Sequence, residues 1–599
     1  MEKRFLLALV LSLAVLLGWQ FLFPGPTPAP KPVTPPASEA PKPVESSQPV
    51  APAVRVAAMP EVERREEVLE NDDVRLVVSN DGAVLTRVEL KGRHPSVGSE
   101  RDLLLVHAQS GDKHAALELR ATKNDDLGSG HMWQLAKSAD GRTLVMERSV
   151  ERPGGRVFVK KELSLPAGHS LHAELRCSVR AEGAANAVFP LDLALQVTPG
   201  VFQEPGASAA TPAHAGLNGV EREYRAVMAP EVHEESAGKS LALAGAQRFA
   251  GDFSNYFGML LLLESFPDSV VARVEEVAAQ DRKDDGATDQ VRTATCIEFG
   301  MRAEAGAAPV THSGLIYMGP VDDRIVAADL ADKPAAAEAL ALIYRDQLGW
   351  ARVIGRAVLF LLDLMHGLCG NWGIAIILMT LLVRCVLFPV NRRSQDAMAK
   401  HQEQMAKLKP KLEALKKKHE GDSRKFAEEQ MKMMREEKVK LVPLGGCLPM
   451  LLQIPIFFGL FSALRASIDL RQAGWWWVAD LSQPDHLITF ASPMANPMSL
   501  CGFIPGCSSC VGGAPALTGL HLLPILMTVA WFLNSWLMPK PATSDPQMEQ
   551  QRKMMLFMPV LFGFMMYSYA AGLSLYWLVS SSIGIVEGRI IRSLRARQS

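Results

Sequence analysis

Five apolar runs lie between residues 371 and 591, at 371–389, 445–464, 517–537, 554–569 and 573–591. A chain carrying so many consecutive apolar helices has few folds open to it. Hydrocarbon satisfies a backbone only as a helix or a closed barrel. These runs read as helices that cross a membrane, the shorter ones implying a locally thinned bilayer. A sixth run, residues 5–23, follows Met-Glu-Lys-Arg and as a helix would extend roughly 28 Å, close to the hydrocarbon thickness. It ends Gly18-Trp19-Gln20-Phe21-Leu22-Phe23-Pro24, poor material for cleavage, which favours a retained anchor over the alternative of a cleaved signal peptide. The run is therefore expected to remain as an uncleaved anchor at 1–23, with Lys3 and Arg4 in the cytoplasm. The expected fold class is a polytopic α-helical membrane protein with six transmembrane helices.

Charge placement tests this topology independently. The segment 391–440 holds fifteen Lys and Arg, and the tail adds Arg589, Arg592, Arg595 and Arg597. The loop 467–518 has one basic residue, Arg471, beside Asp469, Asp480 and Asp485. Because basic loops stay in the cytoplasm, both termini are expected inside and the loop 466–516 outside. The whole chain has a formal net charge of −1, a balance that by itself says nothing about nucleic acid; the lysines of 391–440 form a solvated face or meet anionic lipid or ribosomal RNA, and no specific DNA binding is expected.

Residues 24–59 form a Pro/Ala-rich linker that cannot offset its ordering entropy by burial. Beyond it, residues 60–340 carry short alternating runs. Val74-Arg75-Leu76-Val77-Val78, the turn Asn80-Asp81-Gly82 and the run Ala83 to Leu90 predict a hairpin. Arg142 to Met146, Val157 to Lys160 and Leu171 to Arg176 have the same character, and helical signal is weak until Asp322. A large β-sandwich domain on the outer side of the membrane is expected. The histidines His94, His107, His114, His131, His169 and His172 show no metal-ligand spacing, and no phosphate-binding loop is present.

Between 345 and 369, Arg345, Arg352, Arg356 and Asp363 recur among Leu348, Val353, Val358, Leu361 and Leu364. That pattern suits an amphipathic helix lying at the interface, or one capping the sandwich. Residues 391–442 predict a cytoplasmic helical hairpin broken at Gly421-Asp422. Its Met398, Met405, Met433 and Met434 either contact varied partners or hold the two helices together.

Arg384 stands inside the first of the five runs, twelve positions after Trp372 and five before Pro389. An arginine in a membrane helix costs about 2.5–3.5 kcal/mol. It either extends to the inner interface or lines a water-filled recess with Thr380, Gln453, Asn534 and Ser574. The nearest carboxylate along the other runs is Glu587. A recess open to the cytoplasm shortens the apolar path for a polar tail, and its positive charge attracts acidic ones. Such a scheme uses no metal, nucleotide or covalent intermediate, so neither a cofactor nor an enzyme activity is expected.

Several motifs, taken in order, resemble the YidC family of membrane protein insertases in its bacterial, Gram-negative form. They are Gly370-Asn371-Trp372-Gly373, Thr380 to Arg384 with Pro389, Pro443-Leu444-Gly445-Gly446-Cys447-Leu448-Pro449 and Gln453-Ile454-Pro455-Ile456-Phe457. Asp469-Leu470-Arg471, Asp545-Pro546-Gln547-Met548 with Met558-Pro559, Gly572-Leu573 and Leu575-Tyr576-Trp577 complete the set. The resemblance implies a five-helix insertase core at 370–597, with Arg384 as the groove arginine and Thr380 and Gln453 beside it. It implies a bacterial inner-membrane location, with a large periplasmic β-sandwich domain, and nascent membrane proteins and the lipid bilayer as partners. It also implies the Sec translocon (SecYEG and SecDF) and the ribosome. The loop from Ser492 to Pro515, with Cys501, Cys507 and Cys510, departs from the family pattern. These cysteines suit one disulfide with a free thiol, or a metal site with His486 or His521. Two rival functions are a secondary transporter, against which no paired internal repeat is found, and a carbohydrate- or peptide-binding sandwich on a membrane anchor.

Overall fold

The computed structural model describes residues 63–108, 115–122, 126–199, 201, 214–215, 227–228, 241–243, 249–266, 270–277, 292–347, 352–419, 425, 428–429, 432–433, 436, 444–494, 517–537, 546–567 and 569–597. The expected anchor, the linker, Met434 and the cluster Cys501, Cys507 and Cys510 lie outside these residues.

Strands occupy the described chain up to Pro320 and make a four-stranded, a five-stranded and a nine-stranded sheet. The hairpin expected around Asn80-Asp81-Gly82 pairs Val74–Ser79 antiparallel with Val84–Leu90. Gly82 sits at φ 74°, and a Cβ there would meet Ser129 N at 2.9 Å, so the turn needs glycine. Leu76, Leu193 and Val159, one from each sheet, belong to a single apolar core. The sheets thus pack face to face.

Strand alternation decides which side chains enter that core. In Gly155–Ser164 the buried set is Val157, Val159, Lys161 and Leu163, while Phe158, Lys160 and Glu162 are half-exposed. Lys161 is thereby carried inward and is fully buried. Its Nζ donates to Ala83 O at 2.6 Å and Leu117 O at 2.5 Å, 5.5 Å from the Trp133 ring centre.

Helices follow. They are α1 Asp323–Asp329, α2 Pro334–Gln347, α3 Arg352–Cys369, α4 Trp372–Lys418, α5 Leu444–Ala466, α6 Leu522–Trp536, α7 Pro546–Met565 and α8 Ala571–Ala596. Asn371 caps α4, its side chain accepting from Ile374 N at 3.2 Å. Where the sequence suggests a stop at Pro389, α4 continues for 47 residues through both Pro389 and Pro410. Each proline removes one backbone donor, yet the ladder on either side carries the helix through. Among the described residues one helical segment is long and apolar enough to cross a bilayer, Trp372–Ala397, with 26 residues. Gln453–Leu464 and Leu522–Trp536 are apolar but shorter. Helix length alone does not count the crossings.

The outer faces of these helices are apolar. Val386, Val529, Phe557 and Val586, on α4, α6, α7 and α8, are each more than half exposed, an arrangement costly in water and not in lipid. Helix α3 turns Val358 and Leu362 inward and exposes Val353, Phe360 and Leu368. The helices approach closely at glycines. A Cβ on Gly563 of α7 would lie 1.8 Å from Thr528 Oγ1 of α6.

Arg324 of α1 joins the two regions. It meets Asp322 at 3.2 Å, Asp363 of α3 at 3.2 Å, and Asp469 in the turn Ile468–Leu470 that follows α5. Close by, Arg471 donates to His94 O at 2.7 Å, and Ile468 enters the sheet core. The helical region is thus latched to the strands by polar and apolar contacts together.

Candidate functional site

Two polar stripes face each other between α4 and α8. Thr380, Arg384 and Asn391 lie on α4, and Tyr576, Ser580 and Glu587 lie on α8. Spacings of four and seven place each set along one face of a 3.6-residue helix. Arg384 bonds Ser580 and Asn391 bonds Glu587, each pair 196 residues apart. A constant offset of contacts means that the helices run parallel and in step; antiparallel helices would keep a constant sum instead.

Arg384 Nε donates to Ser580 Oγ at 3.0 Å, and Nη2 donates to the same oxygen. Nη1 lies 3.6 Å from Glu587 Oε2. The guanidinium therefore reaches from Ser580 toward a residue two turns further along α8, roughly 10 Å on. Asn391 Nδ2 donates to Glu587 Oε2 at 3.4 Å, which positions the carboxylate from α4. The Glu587 side chain is 8% exposed and that of Arg384 21%. Arginine cannot shed its proton, so removal from water calls for acceptors and a counter-charge. Both are present.

The other expected groove residues divide. Gln453 of α5 donates from Nε2 to Tyr576 OH at 2.6 Å, which ties α5 to the seam. Thr380 is fully buried, and its hydroxyl donates to Ile376 O at 2.6 Å on its own helix. Asn534 of α6 lies over α8 at Gly584, where a Cβ would sit 3.5 Å from its Nδ2. Ser574 is buried at the start of α8, roughly 160° around the helix from Tyr576 at 100° per residue, and so faces away from the seam. Met398 and Met405 lie on α4, their side chains outside the described set, and the backbone of Met433 is helical. Ser580 and Tyr576 are not among the residues expected at the site. Their four-and-seven spacing with Glu587 matches that of Thr380, Arg384 and Asn391, but Ser574, Ser581 and Ser582 in the same run keep the sequence from singling them out.

Among the described residues, no group of three or more His, Cys, Asp or Glu is placed to hold a metal. What the seam offers is a fixed cation inside a helix bundle, partly exposed, with its carboxylate partner alongside. It can hold an anion.

Residues 364–598 match the family model described as 60Kd inner membrane protein. A membrane protein insertase YidC of Laribacter hongkongensis (strain HLHK9) is 33% identical over 273 residues, 45% of this chain and 40% of that protein. Another, from Janthinobacterium sp. (strain Marseille), is 32% identical over 287 residues, 48% of this chain and 44% of that protein. The matches thus span less than half the length of these curated relatives. A crystal structure described as an active YidC insertase with its first transmembrane domain resolved is 15% identical, covers 88% of this chain and 92% of its own, and has a TM-score of 0.32. That score is too low to add to the case. The whole Arg384 seam falls within the segment that the family model covers, and the chain is similar there to inner-membrane proteins of the YidC family.

Proposed function

We propose that this chain is a membrane protein insertase and chaperone that moves client transmembrane segments from the cytoplasm into the inner membrane. The observation that carries this is Arg384, which can neither lose its charge nor leave the bundle, and which keeps 21% of its side chain exposed beside Ser580 and Glu587. A cation in that setting lowers the cost of bringing a client's acidic tail part-way across the hydrocarbon. The client helix then leaves sideways along the exposed apolar faces of α4, α6, α7 and α8. The similar proteins of Laribacter hongkongensis and Janthinobacterium, both membrane protein insertases, support the same function.

In this proposal Arg384, Gln453, Thr380 and Asn534 belong to a hydrated groove that opens on the cytoplasm, and Ser574, turned away from the seam, stands outside it. The chain crosses the membrane six times with both termini inside. Residues 60–340 stand in the periplasm, 345–369 lie at its membrane surface, and 391–442 project into the cytoplasm as a hairpin. Nascent membrane proteins are the clients, handled alone or beside the Sec translocon (SecYEG and SecDF) and the ribosome. Met398, Met405, Met433 and Met434 of the hairpin provide adaptable contacts.

Reconstitution of the purified full chain in liposomes tests the proposal. Protease-protected client should accumulate with the wild-type protein, and Arg384→Ala should reduce it while leaving the protein folded. Solute uptake without client protection would point to a transporter instead.

A further inference from the structure

We infer that Glu587 is a built-in counter-charge for Arg384, which an incoming acidic tail must displace, and that it thereby sets how strongly acidic clients engage the groove. This rests on the insertase proposal above.

The geometry distinguishes two kinds of partner around one guanidinium. Ser580 takes two donors, Nε and Nη2, and holds the group in place without altering its charge. Glu587 stands off at 3.6 Å, too long for a good hydrogen bond but close enough to cancel much of the field that a client carboxylate would feel. The carboxylate does not depend on Arg384 for its position. Asn391, on the opposite helix, donates to it. Two other cations toward the ends of these helices are engaged elsewhere: Arg595 pairs with Asp396 at 2.6 Å, and Arg592 donates to Leu537 O at 3.2 Å. Among the described residues, Arg384 is the cation that stands within ion-pair distance of Glu587.

An arginine held by a neutral hydroxyl presents a net positive charge to its surroundings. The same arginine with a carboxylate 3.6 Å away presents a dipole, whose pull falls off faster with distance. A client tail gains the full attraction only by taking the place of Glu587 at Nη1. The looseness of that contact leaves room for the exchange, and Ser580 keeps the guanidinium from following the departing carboxylate. An acidic tail thus competes with an internal rival, whereas a neutral tail has no such competitor. Glu587 is a positioning and specificity residue acting through Arg384.

The test uses the full chain in proteoliposomes and two single-span clients that differ only in whether the outer tail carries two aspartates or two asparagines. Glu587→Gln keeps the side-chain shape and the oxygen that accepts from Asn391 but removes the charge. It should raise the ratio of protected acidic to protected neutral client about five-fold, the upper end for a partly exposed charge pair. The gain should come mainly from a lower half-saturating client concentration rather than a faster maximal rate. Glu587→Asp should stay near the wild-type ratio, and adding Arg384→Gln to Glu587→Gln should abolish the gain. An unchanged ratio, or equal changes for both clients, overturns the counter-charge while leaving the insertase proposal standing. Wild-type protein that protects neither client overturns both.

Discussion

Lys161 and Arg384 are both held away from bulk water, and the molecule treats them differently. Lys161 in the sheet core is fully buried and makes no ion pair among the described residues; two backbone carbonyls and the Trp133 ring surround it. Burial pushes its pKa down to about 8, against a smaller opposing pull from Cys177 and Glu118. Its cross-strand neighbour Cys177 is pushed up to about 11, again by burial. Arg384 in the helix bundle is partly open and has a carboxylate at 3.6 Å. A lysine can be enclosed by neutral dipoles because releasing a proton caps the cost of burial. An arginine has no such release, so its position requires an anion or water, and a site that requires an anion is also able to exchange one.

Exchanging the two residue types should break the comparison most severely on the sheet side. Lys161→Arg puts a larger group with five donors, charged at every accessible pH, into a space built for three donors. It is expected to destabilise the β region by about 4 kcal/mol, seen as lost hydrogen-exchange protection in strand Gly155–Ser164 with protection of α4 and α8 retained. Retained protection throughout would show that the core tolerates a permanent charge.

The next effect is one of pH. The folded-state pKa of Lys161, about 8, lies below its ordinary 10.5, so between these values the unfolded chain binds more protons. Stability should therefore rise across that window, by up to about 3 kcal/mol, with the full penalty in force below pH 8. Calorimetry of the full chain at pH 7.5 and 10 should show this rise in wild type and not in Lys161→Met. Parallel behaviour of the two proteins would mean that the ammonium reaches water.

At the seam, Arg384→Ala should lower insertion of acidic-tailed clients about ten-fold, or about 1.4 kcal/mol, while Arg384→Lys should cost only about two-fold because the charge persists. Equal losses in both variants would assign the role to the guanidinium fork rather than to charge. The smallest change is expected at Arg324, which is 56% exposed despite meeting three carboxylates. Arg324→Gln should cost at most about 1 kcal/mol, read as faster exchange in α3 without change in the sheets.

Much of this architecture is legible in the amino-acid sequence. The hairpin at Asn80-Asp81-Gly82 and the strands at 143–152, 155–164 and 172–183 follow from alternation and turn residues, which are local. Arg384 stands out because a charge in an apolar run is rare, and Glu587 is visible as the nearest carboxylate. Ser580 carries no such mark, since serine is ordinary inside an apolar helix and its partner lies 196 residues away. Pro389 suggests a helix end because its local cost is real, but the hydrogen bonds on both sides of it outweigh that cost. The lysine pair Lys160-Lys161 looks like the polar edge of a strand, whereas continued alternation sends the second lysine into the core.

The sequence by itself determined where helices and strands form and which residues share a face, because those properties depend on neighbours within a few positions. It also determined that Arg384 needed a remedy for its charge. Only the tertiary structure decided that α4 and α8 run parallel in step, so that Ser580 and Glu587 meet that arginine while Ser574 turns away. Contacts between helices depend on rotation and translation along their axes, and neither quantity is written in the local periodicity of a single helix.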